Sequence, residues 1–584
     1  MAESEENMED TIEYFYYPEA ECDPPDFEDV MTAQEQPVNE VPENEVLIPS
    51  HDTDCVFFID LANKHLQTIA PELFSLENLE ELHMEKNLIE NIPKEIKLLK
   101  NMKVLYLDHN HIQDVCEELG TLKSMLSLDL SNNPLSYSSL LVISNLHSLR
   151  QLRLYQINLN EIPVELCKYL FHIELLGLSD NNLQCLPKET ANLKKLKEIY
   201  LRNNRFENFP IELSKIVSLE IIDLEQNLIS HIPEEIGSLT NLVKLFLAFN
   251  NLSSIPPTLQ CCQKLAVLDL SHNPLRKFPS VLKNLTKKRK LGLSGDSLEE
   301  LPAQTDSWTS LTHVYLRNTG LRRVHRSFTT ITSIRVLDLR ENRFDEIPKG
   351  ICSMRNLETL NLDDNQIQEI PAEIQELTNL KCLGLSKNQF SNFPMEIFLV
   401  ESLEKLYLGQ NKGIQLTSLP KDIINLKNLK ELHIEDNYLE YLPPRFGSLT
   451  HLTVLNCQNN LLKKLPKTLS QMQGLQKLLL QNNQLSELPE DLARLQQLQV
   501  ILVDGNPMSD PPIEVYCQGT SAILQYLEQK ALKKAKSAKI RNMWRGLLKH
   551  DLKPLMELNS KENKGKKGKE KGKQKSGQES KAKK

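Results

Sequence analysis

The chain has 584 residues and a formal net charge of -11, and 40% of its residues are apolar but only 6% aromatic. The negative total argues against nucleic-acid binding by the chain as a whole. The charge is unevenly distributed, because residues 1–50 hold sixteen acidic and no basic residues, whereas residues 561–584 hold eleven lysines.

Residues 1–50 are expected to form a disordered acidic tail, because their charge is of one sign. The first residues have neither the basic nor the apolar region of a secretory signal, and no apolar run is long enough to span a bilayer. The eleven cysteines lack disulfide-framework or zinc-site spacing. We therefore expect no transmembrane segment and a cytoplasmic location, with cytoskeletal or ciliary association left open.

Residues 51–508 carry a recurring motif of the form LxLxxN, such as LDLSNN ending at Asn133 and LLLQNN ending at Asn483. We call its last position the anchor. Twenty anchors occur, and sixteen of the nineteen steps between them are 23 residues long. Asn fills sixteen anchors, and a three-residue insertion after Asn411 explains the one 26-residue step. A period of this length predicts a repeat solenoid.

Alternating leucines place two side chains on one face of a short strand, and stacked strands then bury a continuous leucine core. The segment after each anchor, as in IPKEI (92–96), predicts a short helix that begins at proline and covers the sheet. The anchor amide is expected to satisfy backbone groups in the turn between repeats. We predict an α/β solenoid of about twenty 23-residue repeats, with a curved parallel sheet on the concave side, short helices on the convex side and a C-terminal helix.

These motifs resemble the leucine-rich-repeat family over residues 59–508, and the form LxxLxLxxNxLxxLPxxIxxLxx looks like its intracellular, Ras-suppressor and scribble-type class. The resemblance implies a solenoid that binds proteins on its concave face, and it does not name the partner. Phosphate-loop, zinc-protease, hydrolase and kinase motifs are not found in the sequence. We therefore expect no enzymatic activity, no cofactor and no metal site.

Positions four, two and one before each anchor are expected to face solvent on the concave side. Aromatic and arginine side chains are the types enriched in binding hot spots, although strands also tolerate a few exposed aromatics. Phe246 and Phe249 fall in one repeat and form the best single pair. The candidate partner-contact residues are Tyr200, Arg202, Phe246, Phe249, Tyr315, Arg317 and Arg340.

After Asn506 the repeat pattern stops, and residues 509–535 predict a terminal cap that ends in a helix. One face of that helix is apolar and can cover the end of the leucine core, as a terminal cap must. Residues 536–555 predict a basic amphipathic helix, and the lysine-rich residues 556–584 predict a disordered tail. The apolar cap residues are Ile523, Leu524 and Leu527.

The segment IRNMWRGLLKH (540–550) resembles an IQ motif, a calmodulin-binding helix of the form IQxxxRGxxxR. Ile540 and the pair Arg545-Gly546 match the motif, whereas Arg541 replaces Gln and His550 replaces the last basic residue. The resemblance implies a site for calmodulin or a calmodulin-like protein. A cationic amphipathic helix also suits an anionic membrane surface or an extension of the cap. The candidate residues are Ile540, Arg541, Met543, Trp544, Arg545, Gly546, Leu547 and Leu548.

The sequence predicts a non-enzymatic scaffold or adaptor in intracellular signal transduction, which binds a protein client on the concave face and calmodulin through the IQ-like helix. Two alternatives stay open. One is an effector scaffold for a small GTPase or a phosphatase without calmodulin binding, and the other is a cytoskeletal, ciliary or membrane-associated structural component. In each case we expect a monomer with an unknown protein client and no nucleic-acid partner.

Overall fold

The structure is a computed structural model, in which side chains are described up to residue 541. It describes residues 56–298, 300–301, 308–411 and 415–562. The described residues divide into two compact units, one that runs up to Leu416 and includes Leu432–Ile434, and one that comprises Thr417–Glu431 and the residues from Glu435 onward.

The described residues of the first unit form sixteen three-residue strands, and consecutive strands from the first to the sixteenth pair in parallel. The register follows the repeat, so that Leu105 lies opposite Leu128. This consecutive parallel order confirms the predicted solenoid. The strands are β1 (Phe58–Asp60), β2 (Glu81–His83), β3 (Val104–Tyr106), β4 (Ser127–Asp129), β5 (Gln151–Arg153), β6 (Leu175–Gly177), β7 (Glu198–Tyr200), β8 (Ile221–Asp223), β9 (Lys244–Phe246), β10 (Val267–Asp269), β11 (Lys290–Gly292), β12 (His313–Tyr315), β13 (Val336–Asp338), β14 (Thr359–Asn361), β15 (Cys382–Gly384) and β16 (Lys405–Tyr407).

The anchor asparagines connect neighbouring repeats through their buried side-chain amides. Asn110 donates from Nδ2 to the carbonyl oxygens of Leu107 and Met84, both at 3.0 Å, and its Oδ1 accepts the Ile89 N–H at 2.9 Å. Three backbone groups that water cannot reach are thereby paired, two of them in the preceding repeat. The role expected for the anchor amide is confirmed, and its chemistry explains why Asn recurs there.

One anchor was assigned to the wrong residue from the sequence. Before the 26-residue step the buried amide belongs to Gln410, which accepts the Asn388 N–H at 3.1 Å and donates to the Leu385 carbonyl at 3.2 Å. Asn411 is exposed instead. Gln carries the same amide on a side chain one methylene longer, so it reaches the backbone groups of the preceding repeat from one position earlier in the chain.

Two neighbouring repeats lack an anchor amide and compensate in different ways. Thr319 donates its hydroxyl to the Leu316 carbonyl at 3.0 Å, which replaces one of the usual amide bonds. Asp296 accepts the Asn273 N–H at 2.8 Å, and burial raises its carboxyl pKa to about 9. Its other oxygen, Oδ2, is buried without a hydrogen-bond partner in the described residues, so Asp296 replaces only the accepting half of the usual amide.

The described segments between these strands are mostly 3-10 turns of three to five residues, and three of the described segments are α-helices. In most repeats proline precedes the turn instead of beginning it, as at Pro93, whose carbonyl accepts the Ile96 N–H at 3.1 Å, whereas Pro71 begins its turn. Short covering helices were predicted correctly, and their 3-10 form suits such brief segments. The helices are α1 (Tyr137–Ile143), α2 (Val164–Tyr169) and α3 (Lys349–Cys352), and the turns are Pro71–Ser75, Lys94–Leu98, Glu117–Thr121, Lys188–Asn192, Leu213–Lys215, Glu234–Ser238, Pro257–Cys261, Ser280–Asn284, Phe328–Thr330, Ala372–Glu376 and Met395–Leu399.

The second unit continues the same pattern and ends in the predicted C-terminal helix. Its last three strands pair in parallel in chain order. The strands are β17 (Glu431–His433, at the boundary of the units), β18 (Val454–Asn456), β19 (Lys477–Leu479) and β20 (Val500–Leu502). The turns are Lys421–Asn425, Phe446–Ser448, Lys467–Gln471 and Glu490–Arg494, and the helices are α4 (Ile513–Tyr516) and α5 (Thr520–Glu562).

Helix α5 begins against the last strand. The Ile501 N–H donates to the Thr520 hydroxyl at 3.1 Å, and Ile523 and Leu527 are fully buried, while Leu524 is half-buried. These side chains exclude water from the end of the leucine core, as a terminal cap requires. In the part of the chain that the structure describes, the helices are too short or too polar to cross a membrane.

Candidate functional site

The surface opposite the leucine core is formed by three rows of side chains. Counted from the anchor, these are the minus-six, minus-four and minus-two positions, and we call their surface the sheet face. In β9 the half-buried Lys244 and Phe246 flank the fully buried Leu245. The minus-six row was not predicted from the sequence, although parity alone would have revealed it, because residues two apart in a strand share a face.

The minus-one position lies in the turn and has a different backbone conformation. Its residues adopt positive φ, 55° at both His109 and Phe249, a region that bulky side chains disfavour. The Phe249 ring stacks on His272 with centroids 4.2 Å apart and planes at 11°. The structure therefore separates the predicted pair, because Phe246 lines the cavity described next and Phe249 does not.

The sheet face of β5–β9 contains a cavity of about 710 Å³. Tyr155, one of its lining residues, packs over Gly177, where a Cβ would lie 2.5 Å from the Tyr155 Cζ. Of the predicted residues, the cavity brings together Tyr200, Arg202 and Phe246. The lining residues are Arg153, Tyr155, Leu175, Ser179, Asp180, Tyr200, Arg202, Ile221, Asp223, Glu225, Gln226, Lys244 and Phe246.

Two predicted residues in this cavity are held in place by carboxylates. The Tyr200 hydroxyl donates to Glu198 Oε2 at 2.8 Å, and burial, together with that carboxylate, raises the tyrosine pKa. Arg202 forms an ion pair with Glu225 at 3.2 Å and donates from Nε to Gln226 Oε1 at 3.4 Å. Both side chains are therefore oriented before any partner arrives, which lowers the entropy lost on binding.

The surroundings of two aspartates on the sheet face disfavour the charged form of their carboxyl groups. Burial raises the pKa of Asp223 to about 7 and that of Asp269 to about 6. Asp223 accepts the Glu225 N–H at 3.0 Å, and Asp269 accepts the Ser271 N–H at 2.9 Å. The Ser271 side chain also donates a hydrogen bond to Asp269, but these hydrogen bonds do not offset the loss of water around either carboxyl. Sequence reasoning missed both aspartates, because charge in a strand resembles an ordinary solvated face.

The remaining predicted arginines and tyrosine lie together on β12 and β13, outside the cavity. Arg340 forms a two-pronged ion pair with Asp338, Nε to Oδ1 at 3.0 Å and Nη2 to Oδ2 at 2.8 Å, and its side chain is only 12% exposed. Arg317 is paired with Glu341. Tyr315 lies in register with Asp338. The charges of this second group are neutralised within the chain.

The predicted calmodulin site begins on an exposed part of α5. Ile540 is 53% exposed, and Arg541 is exposed beside it. Closer to the cap, Lys530 and Lys534 pair with Asp510 and Glu490. The backbone of the whole IQ-like segment is helical. The side chains of Met543, Trp544, Arg545, Gly546, Leu547 and Leu548 lie outside the described residues.

Sequence models of the leucine-rich repeat match four segments of the chain, residues 326–413, 59–112, 217–275 and 474–495. The matched segments are similar to leucine-rich repeats, and the parallel architecture is that of a leucine-rich-repeat solenoid.

Two curated relatives are similar over part of the chain. Human leucine-rich repeat and IQ domain-containing protein 4 is 55% identical over 165 residues, which cover 28% of this chain and 30% of that protein. The mouse protein of the same name is 54% identical over 165 residues, 28% of each chain. The chain thus spans about three tenths of the length of the curated relatives it matches.

Solved structures share the fold at lower identity. The leucine-rich-repeat ectodomain of the Arabidopsis thaliana receptor kinase GASSHO1/SCHENGEN3, in complex with CASPARIAN STRIP INTEGRITY FACTOR 2, superposes with a TM-score of 0.55 at 27% identity, over 77% of this chain and 59% of that one. The plant peptide hormone receptor RGFR1, in complex with RGF2, gives 0.51 at 26% identity, over 75% and 77%.

Proposed function

We propose that the chain is a binding scaffold that holds a protein client on its sheet face and has no catalytic role of its own. The observation that carries this proposal is the cavity on β5–β9, where carboxylates orient Tyr200 and Arg202, and Phe246 lines the same space. Aromatic and arginine side chains in such a setting are typical of interface hot spots. The two plant receptors were solved with bound partners, which agrees with a binding role for the fold.

A photo-crosslinking experiment tests the client site. The full chain carries p-benzoylphenylalanine in place of Phe246, or in place of Leu98, which is 46% exposed at the end of a 3-10 turn in the same unit. We expect the Phe246 position to capture a discrete set of proteins in cells that the Leu98 position does not capture. Excess unlabelled chain should abolish the capture, whereas excess unlabelled Phe246→Asp chain should not. Equal capture from both positions would contradict the proposal.

We further propose that the client-binding scaffold is linked to calcium signalling by calmodulin bound to α5. The relatives carry an IQ domain in their name, and here the helix is exposed from Leu532 to Arg541, so that Ile540 is accessible to a partner. A basic helix with an apolar stripe suits the acidic, methionine-rich grooves of calmodulin. This would make the chain an intracellular signalling adaptor.

Calorimetric titration of the full chain with calmodulin, with calcium and with chelator, tests the second proposal. We expect saturable binding, weakened about tenfold or more by Ile540→Glu. Leu532→Glu is the matched control, because Leu532 is 55% exposed on the same helix but precedes the motif. No heat of binding in either condition would remove the calmodulin arm. It would favour an effector scaffold that uses the sheet face alone, or a structural component of membrane or cytoskeleton.

A further inference from the structure

The minus-four row of the sheet face alternates between aromatic and acidic side chains from β7 to β13. Parallel register places each member directly beside the next, at the strand spacing of about 4.8 Å. A single glycine interrupts the alternation. In order, the row is Tyr200, Asp223, Phe246, Asp269, Gly292, Tyr315 and Asp338.

The last aspartate of this row already holds a cation. The Arg340 guanidinium meets both carboxylate oxygens of Asp338, and the two side chains are only 12% and 5% exposed. Tyr315 is the aromatic neighbour in register. An aspartate beside an aromatic ring in this row can therefore bind a guanidinium. A guanidinium forms two parallel hydrogen bonds with a carboxylate and stacks on aromatic faces.

The two earlier aspartates of the row also lie beside an aromatic residue, and neither holds a guanidinium. Asp223 lies between Tyr200 and Phe246, and Asp269 lies on the other side of Phe246. In the described part of the chain, neither carboxyl forms an ion pair with a basic side chain. Both carboxyls have raised pKa values because burial disfavours their charge. A cation bound beside either carboxyl would stabilise its charged form, which burial disfavours.

The basic residues that line the cavity have other neighbours. Arg202 is paired with Glu225 at 3.2 Å, and Arg153 donates to the Gln151 side chain at 3.3 Å. Burial lowers the pKa of Lys244, in the minus-six row, and the nearby Glu198 carboxylate offsets part of that shift. Asp223 and Asp269 are therefore the groups on this surface with which an incoming positive charge would pair.

From this geometry we infer that the sheet face of β8–β10 binds an extended peptide through two basic side chains, one on Asp223 and one on Asp269, with the Phe246 ring between them. Two strand spacings separate the aspartates by about 9.6 Å. A polyproline II peptide returns to the same face every three residues, about 9.3 Å. The client segment is thus of the form basic-x-x-basic, with arginine preferred. This inference rests on the proposed client site and names its chemistry.

Fluorescence anisotropy with the full chain tests the inference. The probe is a labelled, end-blocked, proline-rich peptide with two arginines three residues apart. Its comparators have the two arginines adjacent, or two glutamates at the original spacing. We expect the spaced arginine peptide to bind at least about tenfold more tightly than either comparator. Equal affinity of the arginine and glutamate peptides would overturn the inference without any variant.

Variants then locate the peptide. Asp223→Asn with Asp269→Asn should weaken the spaced arginine peptide about tenfold or more, while each amide oxygen still accepts the backbone N–H. Asp129→Asn is the matched control, because Asp129 is in the same row, accepts the Ser131 N–H at 3.0 Å and lies outside the cavity lining. An equal loss with the control would overturn the assignment. If Phe246 captures a client but the arginine peptide fails, the chemistry is wrong and the scaffold stands. If Phe246 captures nothing, the scaffold itself fails.

Discussion

The sheet face carries two groups of the same residue types, one at β7–β9 and one at β12–β13, and they differ in how their charges are used. At β12–β13 the arginines Arg317 and Arg340 are paired with Glu341 and Asp338 inside the chain. At β7–β9 a cavity is lined by Asp223, and in the described residues neither Asp223 nor Asp269 on β10 forms an ion pair with a basic side chain. Composition is thus a poor guide to a binding surface, because internal pairing decides which groups remain available to a partner.

The largest effect should come from breaking the internal pair at β12–β13. Arg340→Ala leaves the buried Asp338 carboxylate alone, and we expect a loss of about 3 kcal/mol in the free energy of unfolding, measured with denaturant. Replacing Asp338 by Asn in the same chain should recover most of that loss. Crosslinking from Phe246 should not change. A loss of capture with unchanged stability would show that Arg340 is a contact residue after all.

A smaller effect of opposite sign should appear at β7–β9. Asp223 has a folded-state pKa of about 7, above its usual 3.8, so the fold prefers the protonated form. The contribution of Asp223 to the free energy of unfolding is therefore largest below about pH 4 and declines as the pH rises to about 7. Asp223→Asn should stabilise the chain by about 1 kcal/mol above neutral pH, and less in acid. The same variant should bind the arginine peptide less well.

A purely structural aspartate would give the reverse result. Thermal unfolding at several pH values, run beside peptide binding, separates the two roles. Lower stability of the Asn variant throughout this pH range would show that the charge supports the fold and is not kept for a partner.

The smallest effect concerns the shape of the cavity. A methyl group at position 177 would displace the Tyr155 ring, so Gly177→Ala should weaken the arginine peptide by about threefold with less than about 1 kcal/mol change in stability. Gly384→Ala is the matched control in the same row, because its Cβ would instead meet Asp363 Oδ2 at 2.8 Å, far along the sheet. Equal responses of the two variants would mean that the cavity shape is not used.

The sequence was sufficient for the architecture, because one amide per repeat and two leucines per strand leave a periodic record. It was less informative where a residue departs from the period. Gln410 replaces Asn411 at the ladder because an adjoining insertion shifts the frame. Phe249 was predicted to contact a client together with Phe246, but its backbone has positive φ at the minus-one position and its ring stacks on His272.

The candidate site could be predicted only in part for a related reason. Tyr200, Arg202 and Phe246 were found from residue type and position, and the structure places all three in one cavity. Which arginines are already paired, and which aspartates are not, depends on neighbours 23 residues away in the chain, as with Arg202 and Glu225. A repeat brings such residues together, but only side-chain geometry shows which of them meet.

The most direct test of the central claim is photo-crosslinking in cells with p-benzoylphenylalanine at Phe246 or at Tyr315. The two aromatic residues occupy the same row of the same sheet, three strands apart. The account predicts that the Phe246 position captures a client and that Tyr315 captures little or none of it. Capture of the same client with equal yield at Tyr315 would contradict the claim that the cavity at β7–β9 is the binding site.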